Sequence, residues 1–163
     1  MLRCMTICSH MICPFCHSPT KIYNSRSTHQ KSQTWRRHRC KQCGRTFTTR
    51  ERIDWTGRVE VKSPDSTTGY SRERLLLSLA KASNNLSVQP AMLAELCDSV
   101  EGDLQKLGFF AKTKQESDLI TQTAISVLHR YNPNYALQYV NIVYSNKPPL
   151  ELIKRLVGAE NEL

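Results

Sequence analysis

Cys13-Pro14-Phe15-Cys16 and Cys40-Lys41-Gln42-Cys43 are the two stretches that decide how this chain begins to fold. They follow the pattern C-x2-C-x23-C-x2-C. Thiolates separated by two residues can occupy neighbouring corners of a tetrahedron, and two such pairs complete a closed Zn²⁺ site. Pro14 favours the first turn, and Gly44 permits a positive φ after the second. The spacing therefore predicts a structural zinc ion bound by Cys13, Cys16, Cys40 and Cys43.

Cysteine usage also indicates a compartment. Seven cysteines in a secreted protein would suggest disulfides, but paired C-x-x-C motifs are typical of zinc sites in a reducing environment. We therefore expect a cytoplasmic protein. His17 and His38 lie beside the cysteine pairs and could substitute as zinc ligands, but we expect both to face solvent or phosphate.

The positive charge is concentrated at the amino-terminal end. Residues 1–52 contain eleven Lys or Arg and a single acid, Glu51, whereas the rest of the chain sums to −1. Clustered Lys and Arg side chains favour binding to a polyphosphate, because neutralising its phosphates releases the bound counterions. Arginine forks match phosphate and base edges, and tryptophan offers a stacking face. The sequence predicts nucleic-acid contacts from residues beside the second cysteine pair: Trp35, Arg36, Arg37, Arg39 and Arg45. These residues alone do not separate DNA from RNA, or single from double strands.

The rest of the chain indicates a second domain. Asp54-Trp55-Thr56-Gly57 is a turn signal, Val59-Glu60-Val61 alternates like a strand, and Ser63 to Gly69 reads as a hairpin turn or loop. Helical periodicity then begins, with Ser71 as a cap and Asn84-Asn85 as the end of the first helix. Further helices are expected from about Pro90 to a stop at Gly108, from Leu119 to Tyr131, from about Asn134 to Tyr144, and after Pro148-Pro149.

The apolar face of the second helix is expected to run from Leu93 to Leu107. The fourth helix is nearly apolar on two sides and is expected to be central. Tyr131, Tyr135, Tyr139 and Tyr144 could stack on a base, but their spacing favours helix core. Cys97 is expected to be a buried, inert thiol. The predicted fold class is α+β, a small zinc ribbon followed by a mostly α-helical domain with a short β-hairpin.

The amino-terminal segment 1–10 has no periodic pattern and reads as an extension, so translation could begin at Met1 or Met11. No apolar run is long enough to span a bilayer, and no membrane contact is expected. An enzyme is the least supported class, because we find no P-loop, no open metal position and no nucleophile beside a base. We therefore expect no catalytic residues.

The motifs around the cysteines resemble a known family. Met11-Ile12-Cys13-Pro14-Phe15-Cys16, Asn24-Ser25-Arg26, Arg36-Arg37-His38-Arg39-Cys40 and Cys43-Gly44-Arg45-Thr46-Phe47-Thr48-Thr49-Arg50-Glu51 closely resemble the zinc ribbon of the NrdR family of bacterial repressors of ribonucleotide reductase genes. The resemblance covers residues 11–52. It implies binding of double-stranded operator DNA, with Arg26 among the contacts.

In that family an ATP-cone follows the ribbon, binds ATP or dATP and switches the oligomeric state. Residues 57–147 resemble such a domain: Val59-Glu60-Val61-Lys62-Ser63 is similar to its V-x-K segment, and Tyr70-Ser71-Arg72-Glu73-Arg74-Leu75 to its first helix start. The resemblance implies that the Val59 backbone meets the base while Lys62 and Arg74 meet the phosphates. Residues 148–163 would form a separate carboxy-terminal helix.

This chain departs from the pattern of the cone. Ser66-Thr67-Thr68-Gly69 stands where the family has an Arg and a Glu, Ser83-Asn84-Asn85 replaces a Lys-Arg-Pro, and Tyr139 aligns with a basic residue. The leading interpretation is a nucleotide-responsive repressor that acts as a homo-oligomer, because one ribbon buries too little surface for high specificity. The alternative is a nucleic-acid-binding adaptor whose cone only oligomerises.

Overall fold

The computed structural model describes residues 11–28, 33–83, 88–145 and 149–158. Contacts divide the chain into two compact units, Met1–Ile53 and Asp54–Leu163. The predicted α+β class is confirmed, since a unit with four clustered cysteines precedes a mostly helical one with a small sheet. The extension 1–10 and the expected helix stop at Asn84-Asn85 lie outside the described residues.

The first unit is a three-stranded antiparallel sheet. Its strands are β1 (Thr20–Thr28), β2 (Gln33–Cys40) and β3 (Thr46–Arg52), in the order β1-β2-β3. A register shift between Ile22 and Asn24 leaves Tyr23 at an irregularity of β1. The buried residues in the described part of this unit are Cys13, Thr20, His38 and Cys40. Apolar burial is therefore too small to hold the sheet, and metal binding is the expected source of stability.

The second unit begins with a small sheet. Its strands are β4 (Glu60–Ser63), β5 (Ser66–Gly69) and β6 (Lys114–Glu116), and β4 lies in the centre, antiparallel to β5 and parallel to β6. The turn predicted near Gly57 is present, with φ +69° at that residue. The hairpin turn predicted between Ser63 and Gly69 is present at residues 64 and 65, and the rest of that segment pairs with β4 as β5. The parallel strand β6 was not predicted.

In the described part of this unit the helices are α1 (Arg72–Ser83), α2 (Pro90–Lys106), α3 (Ser117–Tyr131), α4 (Pro133–Val143) and α5 (Leu150–Gly158), with a 3-10 turn at Phe109–Ala111. Ser71 caps α1 as predicted, because its Oγ accepts a hydrogen bond from the Arg74 amide at 3.4 Å. Gly108, with φ +71°, follows α2 as the predicted stop. The largest side chains that are fully buried here are Phe109, Leu79, Leu104, Leu128, Val59, Val100 and Val140.

One prediction about a helix face is wrong. Leu107 is 60% exposed, because α2 ends at Lys106 and the chain turns away at Gly108. Helix α4 packs against α1, α3 and α5, as expected of a central helix, although its buried residues, Ala136, Tyr139 and Val140, lie along one side and Ile142 and Val143 are exposed.

A buried ionic network joins α1 to α2. The Arg72 guanidinium donates to the carboxylates of Asp98 and Glu101, and the Tyr70 hydroxyl donates to Glu101 at 2.9 Å. Side chains of the three charged residues are 12% exposed or less. Desolvation, with the charge of Glu101, raises the pKa of Tyr70, so its hydroxyl stays a donor. The network fixes the start of α1 beside the small sheet.

Candidate functional site

The four predicted zinc ligands come together. The sulfurs of Cys13, Cys16, Cys40 and Cys43 all lie within 4.8 Å of one another. Cys13 Sγ is 3.7 Å from Cys43 Sγ, and Cys16 Sγ is 3.4 Å from Cys40 Sγ. The amides of Gln42 and Cys43 point at Cys40 Sγ from 3.3 and 3.4 Å. Such donors stabilise thiolates, so the donor set fits a structural zinc ion.

The pKa values of the thiols show that a bound cation would reduce the repulsion between the four sulfurs. Hydrogen bonds from Ser18, the backbone amide first, lower the pKa of Cys16 to about 6. The Arg45 amide acts to lower the pKa of Cys43, but desolvation and the three neighbouring sulfurs raise it to about 11. Four thiolates therefore repel one another unless a divalent cation neutralises them.

Backbone geometry at the two cysteine turns differs in one respect. Gly44 follows the second pair with φ +70°, as predicted, whereas His17 follows the first pair with φ +55°. A histidine in the left-handed region carries a conformational cost that glycine avoids. His17 is exposed as predicted.

His38 is buried, and the prediction that it faces solvent or phosphate is wrong. It is 4% exposed, and its ring stacks on Phe47 with centroids 5.0 Å apart. Its Nε2 lies 2.8 Å from Thr49 Oγ1. Strand alternation explains the error, since His38 points to the face opposite Arg37 and Arg39.

Most of the predicted nucleic-acid contacts share one face of the sheet. Residues paired across strands point to the same side, and three rows run Lys21–Arg39–Thr46, Asn24–Arg37–Thr48 and Arg26–Trp35–Arg50. A fourth pairs Gln33 with Arg52. We call this the basic face, and its cations are Lys21, Arg26, Arg37, Arg39, Arg50 and Arg52. No acid belongs to these rows among the described residues.

Arg37 is the most firmly positioned cation of the basic face. Its Nε donates to Tyr23 Oη at 3.1 Å, and its terminal nitrogens donate to Thr48 Oγ1 at 3.1 Å and Thr46 Oγ1 at 3.3 Å. Trp35 is half-buried between Arg26 and Arg50. Lys21, Arg50 and Arg52 were not predicted; two-residue alternation along β3 could have identified Arg50 and Arg52, whereas the register shift in β1 conceals that Lys21 shares a face with Arg26.

Two predicted contacts are placed differently. Arg36 lies on the opposite face, where its guanidinium forms an ion pair with Glu51 at 2.9 Å and its Nε is buried. Arg45 precedes β3, and its guanidinium carbon lies 4.9 Å from the centre of the Phe15 ring. This cation–π contact links the two cysteine turns.

The predicted nucleotide residues fall into two clefts of the second unit. A cleft of about 380 Å³, the charged cleft, is lined by Glu60, Lys62, Thr67, Lys114, Gln115 and Glu116. A second, of about 320 Å³, the hydroxyl cleft, is lined by Val61, Ser63, Ser66, Thr68, Gly69, Tyr70, Ser71, Arg74, Leu75, Ser78, Ser117, Ile120, Thr121 and Tyr139.

Alternation along β4 separates these clefts. Lys62 faces the charged cleft, where it lies 4.0 Å from Glu116, while Arg74 lines the hydroxyl cleft. The two side chains are therefore not arranged as one clamp. Val59 is fully buried, lines neither cleft, and its carbonyl accepts the Tyr70 amide at 2.8 Å.

The tyrosines and Cys97 are placed largely in the helical core. Tyr139 is 2% exposed and accepts a hydrogen bond from Ser78 Oγ at 3.2 Å. Tyr135 and Tyr144 are half-buried against the core, whereas Tyr131 is 49% exposed and stacks on Tyr135. Cys97 is fully buried, as predicted. Among the described residues, no helix is long and apolar enough to cross a membrane.

Comparison with known proteins connects the cysteine cluster to a family. Residues 11–51 match the family model described as the amino-terminal domain of NrdR-like transcriptional repressors. The transcriptional repressor NrdR of Gloeobacter violaceus is 26% identical over 147 residues, which cover 90% of this chain and 84% of that protein. The NrdR repressor of Symbiobacterium thermophilum is 33% identical over 95 residues, or 58% of this chain and 63% of that protein. That of Lysinibacillus sphaericus is 36% identical over 99 residues, 60% of this chain and 64% of its own length. The chain thus spans just under two thirds of the latter two relatives.

Proposed function

Because this chain belongs to the NrdR family of transcriptional repressors, we propose that it represses genes by binding double-stranded operator DNA through the basic face. The observation that carries the proposal is the sorting of charge by strand alternation. The cations Lys21, Arg26, Arg37, Arg39, Arg50 and Arg52 share one side, whereas Glu51 pairs with Arg36 on the other. A face without acids meets phosphates without internal competition.

In this mechanism zinc holds the sheet and takes no part in chemistry. Bound by the four cysteines, it would supply the stability that the small apolar core of the ribbon does not. The hydrogen bonds from Arg37 to Tyr23, Thr46 and Thr48 fix its guanidinium before DNA arrives. Its remaining N–H groups can read a guanine edge, while the more exposed Arg39 and Lys21 contact phosphates.

The regulated genes are those of ribonucleotide reductase, and the chain acts in the cytoplasm as a homo-oligomer. The second unit binds ATP or dATP in the hydroxyl cleft, where Arg74 meets phosphate. Nucleotide controls assembly because one oligomer binds it better than another, since equal affinity would shift nothing. Assembly in turn sets how many ribbons engage neighbouring half-sites.

The separation of Lys62 from Arg74 favours a second candidate. With one cation in each cleft, no polyphosphate clamp is formed, and Lys62 is already near Glu116. The chain would then be a nucleic-acid-binding adaptor whose second unit only oligomerises. It differs from the first candidate in showing no response to nucleotide.

DNA titration tests the first candidate. Zinc-loaded full-length protein is added to a labelled duplex from upstream of the host's ribonucleotide reductase genes, and to a shuffled duplex of equal length. We expect at least about a thousandfold preference for the upstream duplex. Equal affinity for both duplexes, or tighter binding to a single strand, would contradict the repressor proposal.

The oligomeric state with ATP, with dATP and without nucleotide separates the two candidates. The first predicts a change in mass, measured by light scattering at several protein concentrations. The adaptor predicts one mass throughout, with DNA binding unaffected by either nucleotide.

A further inference from the structure

Four charged side chains form an alternating block on one face of the small sheet. Residues paired on neighbouring strands point to the same side, so Glu60 lies beside Lys114, and Lys62 lies beside Glu116. The third strand, β5, adds only uncharged residues to these rows. We call these four charged residues the charge block. Acid and lysine alternate in it both along the strands and across them.

The ion pairs inside the charge block leave most of each charged group open to a further partner. Lys62 Nζ lies 4.0 Å from Glu116 Oε1, at the outer limit of an ion pair, and Lys114 Nζ lies 3.3 Å from Glu60 Oε2. The four side chains are 56–78% exposed. An ammonium group has several donors and a carboxylate several acceptor positions, so each group can bind a second group above the sheet.

The composition of the charge block disfavours any partner of a single charge sign. Two lysines and two glutamates give it a formal charge of zero, so a polyphosphate meets as much repulsion as attraction there. A complementary partner has to place a carboxylate over each lysine and an ammonium group over each glutamate. Such a partner therefore carries the same four charges with their signs exchanged.

A second copy of this chain presents that pattern. When the copy is turned about a twofold axis that lies in the face and runs along the strands, its Lys114 comes over Glu60 and its Glu116 over Lys62. An axis that runs across the strands brings its Lys62 over Glu60 and its Glu116 over Lys114. Both rotations oppose every charge with its opposite, since acid and lysine alternate in two directions. The block is thus self-complementary, as an isologous interface must be.

We propose that two copies of this chain associate face to face through the charge block. This inference rests on the proposed homo-oligomer and names the surface that forms it. Strand β4 links that surface to the proposed nucleotide site, because Val61 and Ser63 line the hydroxyl cleft while Glu60 and Lys62 line the charged cleft. A nucleotide that displaces β4 therefore displaces half of the charge block, and assembly responds to it.

Charge reversal tests the interface in zinc-loaded full-length protein, by sedimentation with ATP, with dATP and without nucleotide. Glu60→Lys, Lys62→Glu and Lys114→Glu should each weaken self-association at least about tenfold, because the symmetry makes one substitution change two cross-copy contacts. Lys106→Glu is the matched control. Lys106 is 67% exposed, as Lys62 is, and it pairs with Asp103 outside the charge block. Its reversal should change self-association by less than about twofold.

Mixtures of the variants distinguish this interface from a general effect of charge. If the axis runs along the strands, Glu60→Lys should associate with Lys114→Glu as strongly as the unchanged chain does with itself, because each new charge faces its opposite. If the axis runs across the strands, Glu60→Lys should instead associate with Lys62→Glu. Sedimentation of one variant, labelled at its amino terminus, with an excess of the other measures this association.

Three results would overturn the inference and leave the proposed homo-oligomer in place. They are self-association of the reversal variants at the strength of the unchanged chain, an equal loss in Lys106→Glu, and restored association in neither mixture. A monomer of the unchanged chain in every nucleotide state would overturn both the interface and the proposed homo-oligomer, while the DNA titration would still judge the repressor.

Discussion

Arg39→Ala tests whether the basic face meets the DNA backbone. Arg39 is exposed in a row with Lys21 and Thr46. Each phosphate neutralised by a cation contributes about 0.9 to the slope of log K against log salt concentration. If the five cations of the basic face other than Arg37 each meet one phosphate, one ribbon has a slope of about −4.5. We expect Arg39→Ala to flatten the slope by about 0.9 and, at about 0.1 M salt, to weaken binding roughly tenfold.

Arg36→Ala is the matched control for this measurement. Arg36 neighbours Arg37 in sequence, yet its side chain lies on the opposite face and pairs with Glu51. Its loss should change the slope by less than about 0.3. Fluorescence anisotropy of a labelled duplex, titrated over a series of salt concentrations, gives both slopes. If Arg36→Ala flattens the slope as much as Arg39→Ala, the DNA does not lie on the basic face.

Three further predictions concern stability. Chelation of zinc, or Cys13→Ser, should make the first unit sensitive to protease while residues 54–163 stay resistant. The reason is that structural zinc supplies about 10–16 kcal/mol of folding free energy, whereas the second unit has its own core. Resistance of both units after chelation would contradict this prediction. Gly44→Ala should weaken zinc affinity about fivefold in a competition titration, because φ is +70° at Gly44 and the added methyl group meets nothing within 4 Å, so only backbone strain is added. His17→Gly should strengthen zinc affinity by up to about fivefold, because it removes the strain at φ +55°. Tighter zinc binding by Gly44→Ala together with weaker binding by His17→Gly would refute the assignment of strain. Arg72→Met should lower the free energy of unfolding by about 3 kcal/mol in urea melts, because it leaves two buried carboxylates unpaired. Replacing Asp98 and Glu101 by apolar residues in the same variant should restore most of that free energy. An unchanged free energy of unfolding in Arg72→Met would mean that the network is not desolvated.

The cysteine spacing and the helical periodicity were sufficient to predict most of the architecture. The four sulfurs converge because C-x-x-C turns have few alternatives, and helix limits at Pro90, Gly108 and Pro133 follow from local backbone chemistry. Strand β6 could not be predicted in this way. It has three residues, Lys114–Glu116, and pairs with a strand more than 50 positions earlier, so no local period marks it.

Arg36 and His38 lie away from the basic face for the same reason. Along a strand the side chains alternate between faces, so a run of like residues does not form one surface. In β2 the run Arg36-Arg37-His38-Arg39 is divided, with Arg37 and Arg39 on the basic face and Arg36 and His38 behind it. Pairing partners were needed to see this, because β3 decides which side carries Glu51.

Side-chain alternation also determines whether Lys62 and Arg74 can bind the same nucleotide. In β4, Lys62 points away from Val61 and Ser63, and so away from the cleft that contains Arg74. A clamp of two cations on one polyphosphate would require Lys62 one position earlier or later in the strand. Exchanging the residues at 61 and 62 would place a lysine over the hydroxyl cleft, but it would also remove Val61 from the core, where it is 7% exposed. Packing of the small sheet thus requires an apolar residue at position 61, whereas a two-cation triphosphate site would require a lysine there. This chain has the apolar residue, Val61.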